Sequence, residues 1–155
     1  MEAPVIKDIP TQTVIAMRHT GDHDAIAGVH HELRTWAKEH DVEITGPGTT
    51  VFLGQLHEFD PKIGTFEVCL PIAAPVEASD PVACKELPAV KVAAVKVKGP
   101  YADIPGHYSE FLAWADSESW EIIGPPREVY IKHPDASGGG DPSEFVTEIQ
   151  FPVNA

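Results

Sequence analysis

Glu128, Val129 and Tyr130 follow one another in a run of strand character from Glu128 to Lys132. In an extended chain alternate side chains point to opposite faces, so Glu128 and Tyr130 share one side while Val129 and Ile131 share the other. A glutamate in a partly apolar cleft loses its water contacts. Its carboxylate then wants a cation, a hydrogen-bond donor or a proton, and its pKa tends to rise. Such a group can hold a cationic ligand or act as an acid/base residue. The competing reading is a surface-strand glutamate paired with Arg127 or Lys132. Around this residue the chain offers aromatic surface. Tyr101 lies at a strand-to-helix turn, Tyr108 on a helix face and Phe52 on a strand, and each tyrosine carries a hydroxyl at its tip. Trp36 and Trp114 occupy equivalent helical positions. An indole on an apolar helix face is usually core, but an indole face in a cleft stabilises a bound cation by roughly 0.5–2 kcal/mol.

Other chemistries lack their patterns. His30-His31-Glu32 does not have the spacing of a zinc-protease helix, which needs two histidines four apart with the glutamate between them. His19 and His23 straddle Gly21 at an expected strand end, so no metal site is expected. No Ser-His-Asp order, phosphate loop or dinucleotide glycine pattern is present, and no cofactor is implied. Cys69 and Cys84 form no metal motif, and a disulfide between them is not expected in a reducing compartment. The net charge of −13 repels phosphate backbones, which argues against nucleic acid as a partner. No apolar run is long enough to span a bilayer and the first residues do not resemble a signal peptide. A cytoplasmic protein is the expectation.

The elements that must position these residues occur twice. At an offset of 78 the segment from Pro4 to Gly54 repeats with 15 identities in 51 positions, among them Lys7/Lys85, Ala16/Ala94, Gly21/Gly99, Glu32/Glu110, Trp36/Trp114 and Val51/Val129. After a longer loop the offset becomes 81, and Phe66–Ile72 faces Thr147–Val153. Each copy reads as strand, strand, helix, strand, strand. In the first, strands cover Val5–Ile9, Gln12–His19, Thr50–Leu56 and Thr65–Ile72. A helix runs from about Asp24, a candidate cap, to His40. In the second, strands cover Val82–Leu87, Val90–Lys98, Glu128–Lys132 and Phe145–Val153. Its helix spans about Ile104–Ser119, with Asp103 as expected cap and Pro105 in the first turn. Glycines 21 and 99 end the strands that precede the helices.

At 155 residues the chain fits one domain, residues 1–155, built from repeats at about 4–75 and 82–155. A half of that size would be marginal alone. The architecture expected is α+β, with antiparallel sheets and a pseudo-twofold axis. Helices cover one sheet face and the other face forms a ligand cleft between the halves. Val129 matches Val51, so the valine side is assigned to the packed layer and Glu128 and Tyr130 to the cleft. Their counterparts, Thr50 and Phe52, break the symmetry. Tyr101 and Tyr108 correspond to His23 and His30, so the second half is the richer ligand wall. Glu67 and Glu148 recur at one repeat position, which suggests a shared structural role.

Lys98-Gly99-Pro100-Tyr101, the run Tyr108–Trp114, the segment Gly124–Tyr130 and the ending Thr147–Val153 together resemble the GyrI-like (SOUL-type) family. These are the small-molecule effector-binding domains also found at the C-termini of AraC-type and MerR-type multidrug regulators. The resemblance covers essentially the whole chain. It implies a duplicated βαββ-type (SHS2-like) fold with a lipophilic, often cationic ligand held between the halves. It also implies a buried glutamate as recurring ligand contact, here Glu128, among aromatics. The chain starts directly at the first copy with no DNA-binding segment, so a stand-alone effector-binding protein is expected, with a regulatory protein as a conceivable partner. Two alternatives come with the resemblance. Some free-standing members hydrolyse cyclopropane-bearing toxins in the same pocket; here Glu128 would handle the proton and Tyr101 or Tyr130 would hold the electrophile. Other relatives are protein-binding inhibitors of DNA gyrase.

Overall fold

The computed structural model describes residues 3–55, 59–60, 62–100, 103–132 and 141–154. Nine strands form one antiparallel arrangement: β1 (Val5–Ile9), β2 (Gln12–Asp22), β3 (Thr49–Phe52), β4 (Ile63–Pro71), β5 (Val82–Leu87), β6 (Val90–Lys98), β7 (Glu121–Ile122), β8 (Arg127–Lys132) and β9 (Val146–Asn154). Two helices accompany them, α1 (Ile26–Glu39) and α2 (Ile104–Ser117). The strand order is β1-β6-β9-β8-β3-β4-β2-β5, with the short β7 paired to β9. Replacing each strand by its counterpart at the 78 or 81 offset turns this order into its own reverse. The midline falls between β3 and β8, where Thr50 lies opposite Glu128 in register. Each half also lends its first strand to the other: β1 pairs with β6, and β5 with β2.

Both helices lie on the same face of the sheet. Val29, Leu33 and Ala37 of α1 repeat at helical spacing and pack on Ile15, Met17, Phe66, Val68 and Leu70 of β2 and β4. Ile104, Tyr108 and Phe111 of α2 pack on Val95, Val97, Ile149 and Phe151 of β6 and β9. Phe66, Phe111 and Phe151 are fully buried, and each such side chain is worth about 1.5–3 kcal/mol of burial. Phe59 joins the two clusters. The opposite face has its own small apolar cluster of Val14, Ala16, Cys69 and Leu87, with Val51 against it.

Several expected boundaries move. β2 continues through Gly21 to Asp22; the glycine does not break the strand but bends it, with φ of +145°. Gly99 has φ of +131° at the matching position, a region that a Cβ disfavours. The side chain that caps the first helical turn is Asp22, which accepts from the Asp24 amide at 2.8 Å, and not Asp24. Asp103 precedes α2 without a capping side-chain bond. β3 stops at Phe52, short of the expected Leu56, and β7 adds a pairing that its two residues were too few to announce.

The face opposite the helices carries two buried carboxylates at matching positions. Glu148 on β9 is 3% exposed; it receives the Lys7 ammonium at 2.9 Å and the Gln150 amide at 2.8 Å. Glu67 on β4 is 5% exposed; it is paired with Lys85, and Arg18 lies at 3.4 Å. Each lysine belongs to the strand lent by the other half. It reaches diagonally across the intervening strand, where its own register partner is Val92 for Lys7 and Val14 for Lys85. The shared structural role expected of Glu67 and Glu148 takes this form: an ion pair stitches each lent strand to the sheet.

Candidate functional site

Glu128 stands on β8 at the midline, and it shares a face with both helices. Its cross-strand partners are Thr50 on β3 and Ile149 on β9. Ile149 belongs to the cluster under α2, and Val68, the next partner of Thr50, belongs to the cluster under α1. The expectation that Glu128 and Tyr130 face away from the helices is therefore corrected. Val51 and Val129 face the other side, where their cross-strand partners are Glu67 and Glu148. Both faces of these strands bury apolar groups, so the valines did not mark the helix side.

The Glu128 carboxylate is 6% exposed. The Tyr108 hydroxyl of α2 donates to Oε2, and the Tyr130 hydroxyl contacts Oε1 at 2.8 Å. The Tyr130 hydroxyl also lies 2.9 Å from the Thr50 hydroxyl, which in turn lies 3.3 Å from Nε2 of His30 on α1. Edge-on against Tyr130 stands the His30 ring, with centroids 5.0 Å apart. Phe59 sits 5.4 Å from the Tyr108 ring and 5.3 Å from Phe52, and Phe52 contacts His23 at 4.8 Å. The result is one acid under an aromatic enclosure drawn from both halves.

Among the described residues no lysine or arginine pairs with Glu128. Burial pushes its pKa above the usual carboxylate range, and this outweighs the opposing effects of the two hydroxyls and the nearby His23. The Tyr108 phenol is held well above its ordinary value by burial first and by the adjacent Glu128 second. A buried carboxyl of this kind is chemically able to balance a positive charge when ionised or to give up a proton when protonated.

Of the residues singled out by sequence, the structure brings together Glu128, Tyr130, Tyr108 and Phe52. Tyr101 lies outside the described residues. The tryptophans are placed elsewhere. Trp36 stacks on His40 with centroids 4.1 Å apart, and Trp114 packs on Trp120 at 4.3 Å. Trp36 also lines a surface depression of about 360 Å³ with Met17, Glu32, Pro81 and Val82. Val82 belongs to β5, at the far edge of the sheet from the midline. The equivalent helical positions of the two tryptophans identify an apolar face but not which flank of the helix looks to the midline. Thr50 and His30 were not singled out as site residues in the sequence reading, where they stood as counterparts of Glu128 and Tyr108. Phe59 was missed, because it lies past the end of β3 where no periodicity places it.

Comparison with known proteins agrees with this fold. The GyrI-like small molecule binding domain matches residues 2–154. No curated protein sequence matches the chain. Among solved structures, the EcmrR C-terminal domain superposes with a TM-score of 0.85 at 22% identity, covering 97% of this chain and 96% of that one. The chain spans 57% of EcmrR as seen in its DNA complex. A hydrolase from Listeria innocua superposes with a TM-score of 0.66 at 13% identity, over 98% of this chain and 92% of that one. A protein bound to tetraphenylphosphonium does so with a TM-score of 0.62 at 14% identity, over 100% and 95%. At such identities the structures speak for the fold alone, but the family match spans nearly every residue: the chain belongs to the GyrI-like small-molecule-binding family.

Proposed function

We propose that this protein binds a bulky lipophilic cation between α1 and α2, over the β3–β8 midline, with Glu128 as counter-charge. It would do so as one domain of two repeats, at about 4–75 and 82–155. The observation that carries this reading is that Glu128 is a buried carboxylate with hydroxyl partners and no paired cation among the described residues. Phe52, Phe59, Tyr108 and Tyr130 would supply flat surface, and aromatic faces add roughly 0.5–2 kcal/mol for a cation. Entry would require the Tyr108–Glu128 contact to open, so the hydroxyl acts as a placeholder for the ligand's charge. The structural neighbour that binds tetraphenylphosphonium supports the choice of probe. Isothermal titration with tetraphenylphosphonium should give saturable binding that falls about a hundredfold in Glu128→Gln, consistent with the loss of a buried charge contact of about 2–3 kcal/mol. A neutral probe of the same shape should lose little. Equal loss for both probes would remove the charge role.

One observation favours a second reading. The raised pKa of Glu128 beside the Tyr108 hydroxyl suits an acid/base group, and a structural neighbour is a hydrolase. Incubation with strained electrophiles such as cyclopropanes, followed by mass spectrometry, tests it. Products that disappear in Glu128→Gln would support turnover, and unchanged compounds would remove it.

A further inference from the structure

The four groups His30, Thr50, Tyr130 and Glu128 form a single file of contacts at 3.3, 2.9 and 2.8 Å. Each hydroxyl in it owns one hydrogen. When Glu128 is ionised it can only accept, so its contact with Tyr130 consumes the tyrosine's hydrogen. The Tyr130–Thr50 contact must then use the threonine's hydrogen, and the Thr50–His30 contact must use a hydrogen on Nε2 of the imidazole. All donors point toward the carboxylate. When Glu128 is protonated the file can run the other way and end on an Nε2 lone pair. The two ends thus exchange one proton through two hydroxyls. In that exchange the O–H bond at Glu128 breaks, an N–H bond forms at His30, and Tyr130 and Thr50 each give up one hydrogen and take another. Gly48 makes room for the imidazole: a Cβ there would stand 2.8 Å from Cε1 of His30 and 3.1 Å from Nδ1.

We propose that His30 is the proton partner of Glu128, joined to it through Thr50 and Tyr130, and that this link readies the site for a cation by passing the carboxyl's proton to the imidazole and from there to water. The inference rests on the cation-binding reading for its use, though not for its existence. His30 is half-buried on α1, while Glu128 is closed in, so the imidazole is the end from which the proton reaches water. An unperturbed imidazole titrates near pH 6.5, within range of small environmental change. The other ionisable groups around the pair are Tyr108 from α2, His23 from the turn before α1, and Arg34 one helical turn beyond His30. The nearest acid–lysine pairs, Glu67 with Lys85 and Glu148 with Lys7, belong to the opposite face. His30 is a positioning residue in this scheme: it acts on the ligand through Glu128.

The test is an NMR pH titration of the full chain, following the Glu128 side-chain carboxyl carbon and the His30 ring nitrogens. In the wild type both signals should show the same inflections, because strongly coupled groups titrate as a pair. Thr50→Val should separate the two curves, and Thr50→Ser should restore their coincidence. If Thr50→Val fails to fold, Tyr130→Phe cuts the file at its other link. Independent curves in the wild type would overturn the proposal. So would curves that stay coincident when the hydroxyl is gone, since through-space attraction between carboxylate and imidazolium would then account for them. Binding of tetraphenylphosphonium provides the separate arm. Wild-type affinity should rise about tenfold from roughly pH 5.5 to pH 8 as the imidazolium disappears, and His30→Gln should flatten that rise. Absence of binding at every pH would remove the proposed function and leave the shared titration to be judged by itself.

Discussion

Among the described residues three carboxylates are buried in this sheet, and they are solved differently on its two faces. On the helix-free face Glu67 and Glu148 each receive an ammonium from the strand lent by the other half. On the helix-bearing face the partners of Glu128 among the described residues are phenolic hydroxyls. An ion pair with further hydrogen bonds offsets much of the desolvation of a buried charge, whereas hydroxyl donors leave the charge itself uncompensated. The first arrangement holds a fold together. The second leaves unspent attraction for something else, which is what separates a structural acid from a receptive one in a molecule where both are nearly inaccessible.

The contrast can be broken from either side. Lys7→Met should have the largest effect on stability. It strands Glu148 with Gln150 as its remaining partner, and removal of one member of a buried pair is strongly destabilising. Because Lys7 is 39% exposed, solvent tempers the loss to about 1–3 kcal/mol, read as a lower urea midpoint. Lys85→Met should cost less, since Arg18 still faces Glu67. Next in size is Tyr108→Phe, which removes one donor from a buried carboxyl and should cost about 1–2 kcal/mol in the same assay. If it costs nothing, the hydroxyl contact is not holding the acid.

Glu128→Gln should act in the opposite direction to Lys7→Met. The folded pKa of Glu128 lies above the unfolded one, so the carboxyl's favourable contribution is full below the unfolded value and is lost as pH rises through the folded one. At neutral pH the variant should match or exceed the wild type, by up to about 1 kcal/mol or roughly 2–4 °C in Tm. The gap should close on acidification below about pH 4. A variant less stable at pH 7 than the wild type would show that the carboxylate contributes more as an ion than its burial costs. The smallest effect concerns the helix-free face. Burial, with Glu67 adding to it, pushes the Cys69 thiol up to about 12. A mild alkylating agent should therefore label Cys84 well before Cys69, as peptide mass spectrometry would record.

Much of this was legible in the chain before any coordinates. The 78-residue offset located both helices, implied the pseudo-twofold axis and marked the odd pair of Thr50 and Glu128. Alternation along β8 placed Glu128 and Tyr130 together. What alternation cannot supply is the identity of the face. It sorts residues into two sides and leaves them unlabelled unless one side is polar, and here Val14, Ala16, Cys69 and Leu87 make the helix-free side apolar as well. Trp36 and Trp114 show a related limit: repeat symmetry demands equivalent surroundings, not surroundings near the axis. The link from Thr50 to His30 depends on Gly48 letting a helix side chain approach the sheet, a close approach that one glycine among twelve does not advertise.

The register opposite Glu128 carries one more implication. Residues 50 and 128 face each other across the line that exchanges the halves. Any assembly of two separate, identical half-chains would be obliged to put the same side chain in both places. Two glutamates there would repel each other in a dry interior, and two threonines would carry no charge at all. A lone acid beside an alcohol requires two unlike halves, and one chain that carries both copies lets them diverge, which is what permits the centre to be singly charged.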